Sequence, residues 1–170
     1  ELVVVCGDTR LENNAQTAKL QLDMSHYRTL WRQLAGLARF SAVASPDPLN
    51  DLEQFRIGGP NGVRAYPASE LAGDRGFTAT AELQHPVNMF PGFYNQRLKA
   101  FVDTGRVYRK NHNRLGVERS ESLTGVGLGY QGFAFGHVNV DATLAYPLGQ
   151  HEASDDDDGL RFWTGITANF

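Results

Sequence analysis

Side chains that could bind a metal or a cofactor are spread along the chain without a recognisable spacing. The five histidines lie far apart, with no HxH or HxxxH pair. The single cysteine, Cys6, excludes a zinc site built from cysteines. The acidic run Asp155–Asp158 lacks the spaced ligands and the glutamate of a calcium loop. We therefore expect no metal and no cofactor.

Residue patterns of enzyme active sites are absent as well. Gly125, Gly127 and Gly129 lack the GxGxxG spacing of a dinucleotide loop. No serine lies in a nucleophile elbow. Glu82 and Asp103 could in principle form a hydrolytic pair, but no motif around them supports this. We therefore expect that the protein is not an enzyme.

One stretch, from Phe55 to Gly76, differs from the rest of the chain. It contains five glycines and two prolines, which favour tight turns and interrupt regular strand pairing. It also carries arginines, acids and large apolar residues, unlike a flexible linker. We expect a long ordered loop without strands, from about residue 51 to residue 76, and long ordered loops are usually functional.

Length and charge limit the class of protein. The 170 residues suffice for one domain with a core. A net charge of −3 leaves no basic surface for nucleic acid. No apolar run reaches the roughly 18 residues of a transmembrane helix. The chain opens on the apolar run Leu2–Val5, with no initiator methionine and no signal peptide, so we expect a segment of a longer or processed protein.

Alternation of apolar and polar residues predicts eight strands and no helix. In Thr17–Ser25, for example, Leu20, Leu22 and Met24 share one side and polar residues the other. The other predicted strands lie at about 1–10, 33–44, 77–84, 97–106, 121–133, 138–146 and 161–170, with a charged connection at 108–120.

The strands resemble those of a membrane barrel more than those of a soluble sheet. Their length of about 9–12 residues exceeds the usual five or six and suits tilted membrane strands. Aromatic residues such as Tyr27, Trp31 and Phe162 lie near strand ends, like an interfacial girdle. The pattern favours an all-β, antiparallel transmembrane β-barrel, and a soluble β-sandwich or barrel remains the alternative.

Three motifs follow one another along the chain. The loop carries Gly58-Gly59-Pro60, Val63-Arg64-Ala65-Tyr66 and Gly73-Asp74-Arg75-Gly76; the next strand but one carries Phe101-Val102-Asp103-Thr104-Gly105; and Phe170 is a terminal aromatic residue. Together they resemble the two-partner secretion transporters (TpsB) of the Omp85 superfamily, which export haemolysins and adhesins through the bacterial outer membrane. The family's usual glycine after the arginine is Ala65 here.

The resemblance implies a barrel of about sixteen strands preceded by periplasmic POTRA domains. Residues 1–170 would then be the C-terminal segment of the barrel domain, without the POTRA domains and the N-terminal half. It also implies an unfolded TpsA-type exoprotein and outer-membrane lipid as partners. Phe170 would be the signal that the barrel-assembly machinery reads.

The resemblance further implies that the loop folds into the barrel lumen with Arg64 at its tip. Asp103 shares a strand face with Lys99 and Phe101, so we expect it to point inward, where a guanidinium can bind it through two parallel hydrogen bonds. Tyr66 and Phe101 could stack on the guanidinium. Gly105, without a Cβ, could leave room for the loop. A methyl group at Ala65 fits if φ is negative.

Two other functions stay open. A barrel-assembly insertase of the same superfamily would share the arginine loop, although the Gly73–Gly76 ending of the loop favours the exporter. A soluble β-barrel that binds a ligand in its interior would belong to a different class of protein.

Overall fold

The computed structural model describes residues 2–8, 19–46, 48–110, 118–135, 137–148 and 159–168. Ten strands form in them: β1 Leu2–Asp8, β2 Leu20–Trp31, β3 Leu34–Ala44, β4 Phe55–Ile57, β5 Leu71–Gly73, β6 Arg75–Pro86, β7 Phe93–Lys110, β8 Glu118–Ala134, β9 Val138–Pro147 and β10 Arg161–Ala168. Within these ranges, no helix is long and apolar enough to cross a membrane.

Eight of the strands form one antiparallel sheet in the order β1-β2-β3-β6-β7-β8-β9-β10. Each strand therefore pairs with the strand that precedes it in the main sheet, which is the meander that short turns between neighbouring strands produce. The prediction of an all-β antiparallel architecture is confirmed.

The sheet has two chemically different faces. The inner face, which the connection between β3 and β6 covers, carries charged residues such as Arg39, Glu82 and Asp103, whose positions match across the strands. The outer face is apolar and exposed from β2 to β10, with Leu20, Met24, Phe40, Leu83, Leu98, Val102, Leu128, Leu144, Phe162 and Ile166. So continuous an exposed apolar surface marks a contact with lipid or protein.

The connection between β3 and β6 contains strands, so the prediction of a stretch without strand pairing is wrong at both of its ends. Phe55–Ile57 pairs with Leu71–Gly73 in a two-stranded sheet. The pairing forms because apolar side chains such as Ile57 and Leu71 are buried there. Arg75 and Gly76 belong to β6. We call residues 51–74 the lid loop.

Strands β7 and β8 are longer than their charged ends suggest. The region 108–120, predicted as a connection, is strand at both ends, because β7 continues to Lys110 and β8 begins at Glu118. Residues 111–117 lie outside the described ranges. The register includes Tyr108 opposite Ser120. The predicted strands end too early at these charged residues. Where a strand extends beyond the apolar layer, its side chains no longer alternate between apolar and polar, so the sequence pattern stops before the strand does.

Most of the buried apolar side chains lie between the lid loop and the inner face. The loop contributes Ile57, Val63, Ala65, Tyr66 and Leu71, and the sheet contributes Phe101, Val107, Leu123 and Ala145. The core of the described residues is thus the contact of the loop with the wall. Burial of apolar area at about 25 cal/mol per Å² holds the loop against the sheet.

Candidate functional site

The tip of the lid loop is a tight turn that requires glycine at its base. Gly58 and Gly59 have φ values of +103° and +84°, which only glycine adopts readily. Gly59 N donates to the Tyr66 carbonyl at 3.0 Å, and Tyr66 N donates to the Val63 carbonyl at 3.1 Å. These two bonds close the loop around Arg64 and hold its backbone in one position.

The other end of the loop is tied to β7. Asp74 is 1% exposed; its backbone N–H donates to the Tyr108 carbonyl at 3.0 Å, and its carboxylate accepts from Leu49 N at 2.7 Å. A Cβ at Gly73 would lie 2.7 Å from the Tyr108 oxygen, and one at Gly76 would lie 2.6 Å from the Arg106 oxygen. Both glycines therefore allow close backbone packing, and Arg75 begins β6 beside them.

Arg64 reaches from the loop to the wall and binds Asp103 through two parallel hydrogen bonds. Nε donates to Oδ2 at 2.8 Å, and the terminal NH2 nitrogen donates to Oδ1 at 2.9 Å. The backbone N–H of Arg64 donates to the same carboxylate at 3.2 Å. Asp103 is 1% exposed and Arg64 is 7% exposed. Paired in this way, the two charges are screened little by water.

A second carboxylate and an aromatic ring complete the surroundings of the guanidinium. The terminal NH1 nitrogen of Arg64 donates to Glu82 Oε2 at 2.9 Å. The guanidinium carbon lies 3.3 Å from the ring centroid of Phe101, within the range of a cation–π contact. Thr80 donates to Asp103 Oδ1 at 2.9 Å, and Gln84 donates to Glu82 Oε1 at 2.7 Å. We call Glu82, Phe101 and Asp103 the guanidinium cage.

The cage keeps Arg64 charged. Burial alone would lower the pKa of Arg64, but hydrogen bonding and attraction to Asp103, followed by those to Glu82, outweigh burial and raise the pKa above its ordinary value. Charge counting points the same way, since one guanidinium faces two carboxylates. Arg64 is therefore a cation at any physiological pH.

Trp163 of β10, the edge strand of the main sheet, binds the same loop residue. Its indole Nε1 donates to the backbone carbonyl of Arg64 at 2.7 Å. The lid loop thus bridges from β6 and β7, which carry Glu82 and Asp103, to β10. A contact across so many strands indicates that the sheet curves around the loop.

Three further residues near the loop tip pack on the inner face. Val63 and Tyr66 are fully buried. Ala65 does not have a positive φ and is 2% exposed, so the methyl group is compatible with the turn. Its Cβ lies directly over Gly125, where an added Cβ would overlap it. A Cβ at Gly105 would lie 3.3 Å from Ile57 Cδ1 of the loop and 3.1 Å from the Phe77 oxygen.

Sequence patterns did not single out Glu82 and Trp163 as partners of Arg64. Glu82 lies on the inner face directly opposite Phe101, so strand pairing between β6 and β7 would have placed it beside the cage. Trp163 lies 99 residues from Arg64 along the chain, and no local spacing links the two. The terminal Phe170 and the acidic run Asp155–Asp158 lie outside the described residues.

Metal binding finds no support among the residues that the structure describes, since no three histidines, cysteines or carboxylates converge there.

A model of the family described as haemolysin secretion/activation protein ShlB/FhaC/HecB matches residues 6–132. Neither the curated proteins nor the solved structures gave a match. The match spans the lid loop and the cage. The chain therefore belongs to the ShlB/FhaC/HecB family of haemolysin secretion/activation proteins, the outer-membrane β-barrel transporters of two-partner secretion.

Proposed function

We propose that this chain forms part of the wall and the lid loop of an outer-membrane pore that exports an unfolded TpsA-type exoprotein. Membership of the haemolysin secretion family supports the exporter over the barrel-assembly insertase. The exposed apolar outer face suits contact with outer-membrane lipid, and the charged inner face suits a water-filled path. Insertion would depend on the barrel-assembly machinery, with Phe170 as its signal.

The lid loop would obstruct that path in the resting state. The observation that carries this proposal is the pairing of Arg64 with Asp103 by two side-chain hydrogen bonds on the inner face. With its tip on the cage and its backbone bound by Trp163, the loop crosses the interior of the curved sheet. An extended polypeptide could pass only after the loop shifts or is displaced.

A buried ion pair suits a reversible latch. Removing one partner of such a pair typically costs about 3–5 kcal/mol, although the intact pair adds little net stability over an apolar contact. The latch therefore selects one loop position strongly without making the loop's attachment permanent. A polypeptide that supplies its own interactions at the cage could compensate for the loss of Arg64.

The experiment compares Arg64→Ala and Asp103→Ala in the full-length protein, after heat-modifiable migration has shown that each inserts in the membrane. We expect altered secretion of the exoprotein and a larger fraction of time in conducting states in planar bilayers. Arg56→Ala is the matched control, because Arg56 is an exposed arginine of the same loop whose side chain donates to the Asp51 carbonyl at 2.7 Å and not to the cage. Secretion and conductance equal to this control for both variants would contradict the proposal.

A further inference from the structure

The cage is a complete binding site for a guanidinium group. Asp103 accepts from two nitrogens of the group, Glu82 accepts from the third, and the Phe101 ring covers one face at 3.3 Å. All three nitrogens of the bound group are therefore matched by carboxylate oxygens. The cage residues lie on β6 and β7, whereas the group that fills the cage comes from a separate loop.

The geometry distinguishes a guanidinium from other cations. A planar group is needed to donate in parallel to both oxygens of Asp103 while its face lies on Phe101. A lysine ammonium is a compact point charge, so it could pair with one carboxylate but could not fill all these positions. The cage therefore has a chemical preference that a merely acidic patch would not have.

Withdrawal of the lid loop would leave the two carboxylates of the cage without the positive charge of Arg64. Beneath the loop, Glu82 is 5% exposed and Asp103 is 1% exposed, so withdrawal removes their cation and their cover together. Two neighbouring carboxylates are then open to a passing chain without a counter-charge. A cavity of about 440 Å³, lined by Arg64, Glu82 and Trp163 among others, borders the cage and offers room for an approaching chain. An arginine of a passing polypeptide has the matching group.

We propose that the vacated cage is a receptor for guanidinium side chains of the exported polypeptide, so that arginines of the substrate and Arg64 compete for one site. The binding chemistry rests on the cage alone, and the release of the loop rests on the proposed function. Bound substrate arginines would keep the lid loop from returning while the polypeptide passes.

Another arginine of the wall could occupy the same site. Arg39 lies on the inner face of β3, opposite Thr80 and diagonal to Glu82. It is exposed, and among the described residues no hydrogen bond or ion pair is found for it. Diagonal neighbours lie about 7–8 Å apart, within reach of an arginine side chain. The test therefore removes this competitor as well.

Chemical rescue tests the site directly. The full-length Arg64→Ala/Arg39→Gln protein is heated in detergent with millimolar ethylguanidinium, and the change from folded to unfolded migration is followed on gels. N-ethylurea, a neutral molecule of similar shape, is the matched control. We expect ethylguanidinium to raise the unfolding midpoint by about 2 °C or more at saturation, and N-ethylurea to leave it unchanged. Adding Asp103→Asn should abolish the rise.

Equal effects of the two molecules, no rise with ethylguanidinium, or a rise that survives Asp103→Asn would each overturn the proposal. An Arg64→Gln protein is measured in parallel, so that a folding defect of the alanine variant does not prevent the test. Failure here is separable from failure of the latch, because Arg64→Ala could still alter secretion and conductance while the cage binds nothing.

The source of the guanidinium is tested with peptides. Short glycine-serine peptides carrying one arginine, one lysine or one citrulline are added to the Arg64→Ala/Arg39→Gln protein. We expect only the arginine peptide to raise the unfolding midpoint, because citrulline has the shape without the charge and lysine has the charge without the shape. Equal shifts for arginine and citrulline, or a response to ethylguanidinium alone, would contradict a role for substrate arginines.

Discussion

The methyl group of Ala65 lies over Gly125, in the space that any side chain at position 125 would occupy. Ala65 belongs to the lid loop, and Gly125 belongs to β8 on the inner face, opposite Asp103. The resemblance to the two-partner secretion transporters leads us to expect glycine at the loop position. The extra methyl group here is accommodated because the wall has no side chain beneath it. The two residues together set how closely the loop tip approaches the sheet.

Gly125→Ala should push the loop tip away from the wall. Two methyl groups cannot share this space, and overpacking of this kind costs about 1–3 kcal/mol. Because Arg64 precedes Ala65, we also expect the pairing with Asp103 to loosen. The measurement is the urea midpoint for unfolding of the lipid-folded protein, together with the rate of protease cleavage in the lid loop.

The rescue of this defect is the sharper part of the test. The double variant Ala65→Gly/Gly125→Ala moves the methyl group from the loop to the wall, so most of the lost stability should return. Gly165→Ala is the control, because an added Cβ there lies 4.0 Å from its nearest neighbour, Asp141 Cβ. Unchanged stability in Gly125→Ala, or no recovery in the double variant, would contradict the contact.

Arg64→Lys separates the charge of Arg64 from its shape. The ammonium keeps the attraction to Asp103 and Glu82 but loses the parallel hydrogen bonds and the stacking on Phe101. We expect a loss of roughly 1.5–3 kcal/mol in the free energy of unfolding, smaller than that of Arg64→Ala. Equilibrium unfolding in urea measures it, with Arg56→Lys as the control. A lysine variant as stable as the wild type would show that charge alone holds the loop.

Trp163→Phe tests the attachment of the loop to β10. The change keeps an aromatic ring but removes the indole N–H that donates to the Arg64 carbonyl at 2.7 Å. We expect a loss of about 0.5–1.5 kcal/mol and faster exchange or cleavage at the loop tip. Trp31→Phe is the matched control, since Trp31 is 69% exposed. Equal effects of the two substitutions would argue against a specific role of the hydrogen bond.

The faces of the sheet could be predicted from the sequence, because the strand period is two and pairing preserves it. Leu20, Leu22 and Met24 all lie on the outer face, as their alternation indicates. The strand pairing inside the lid loop could not be predicted in this way. Its glycines obscured the pairing of β4 with β5, which depends on burial against the wall rather than on local alternation.

Partners of Arg64 from distant strands needed tertiary information. Glu82 shares no motif with the loop, and Trp163 approaches only because the sheet curves. Neither contact follows from the spacing of residues along the chain. The role of Gly125 is equally hidden, since it depends on the single methyl group of Ala65 above it.

The hydroxyl of Tyr66 should make the protein less stable at alkaline pH. Burial, and secondly the charge of Glu70, raise the pKa of Tyr66 above its ordinary value. In the unfolded chain this tyrosine ionises near pH 10, while in the folded protein it keeps its proton to a higher pH. The unfolded state then binds fewer protons, so the free energy of unfolding falls as pH rises from about 9.5 to 11.

Tyr66→Phe should flatten that fall, because no proton can then be lost at this position. The measurement is the urea midpoint of the wild type and the variant at a series of pH values, each relative to its own value at neutral pH. Tyr94→Phe serves as the control, since Tyr94 is 64% exposed. Arg64 should not contribute to the slope, because its raised pKa keeps it charged throughout this range. An alkaline slope that is the same with and without the Tyr66 hydroxyl would contradict the assignment.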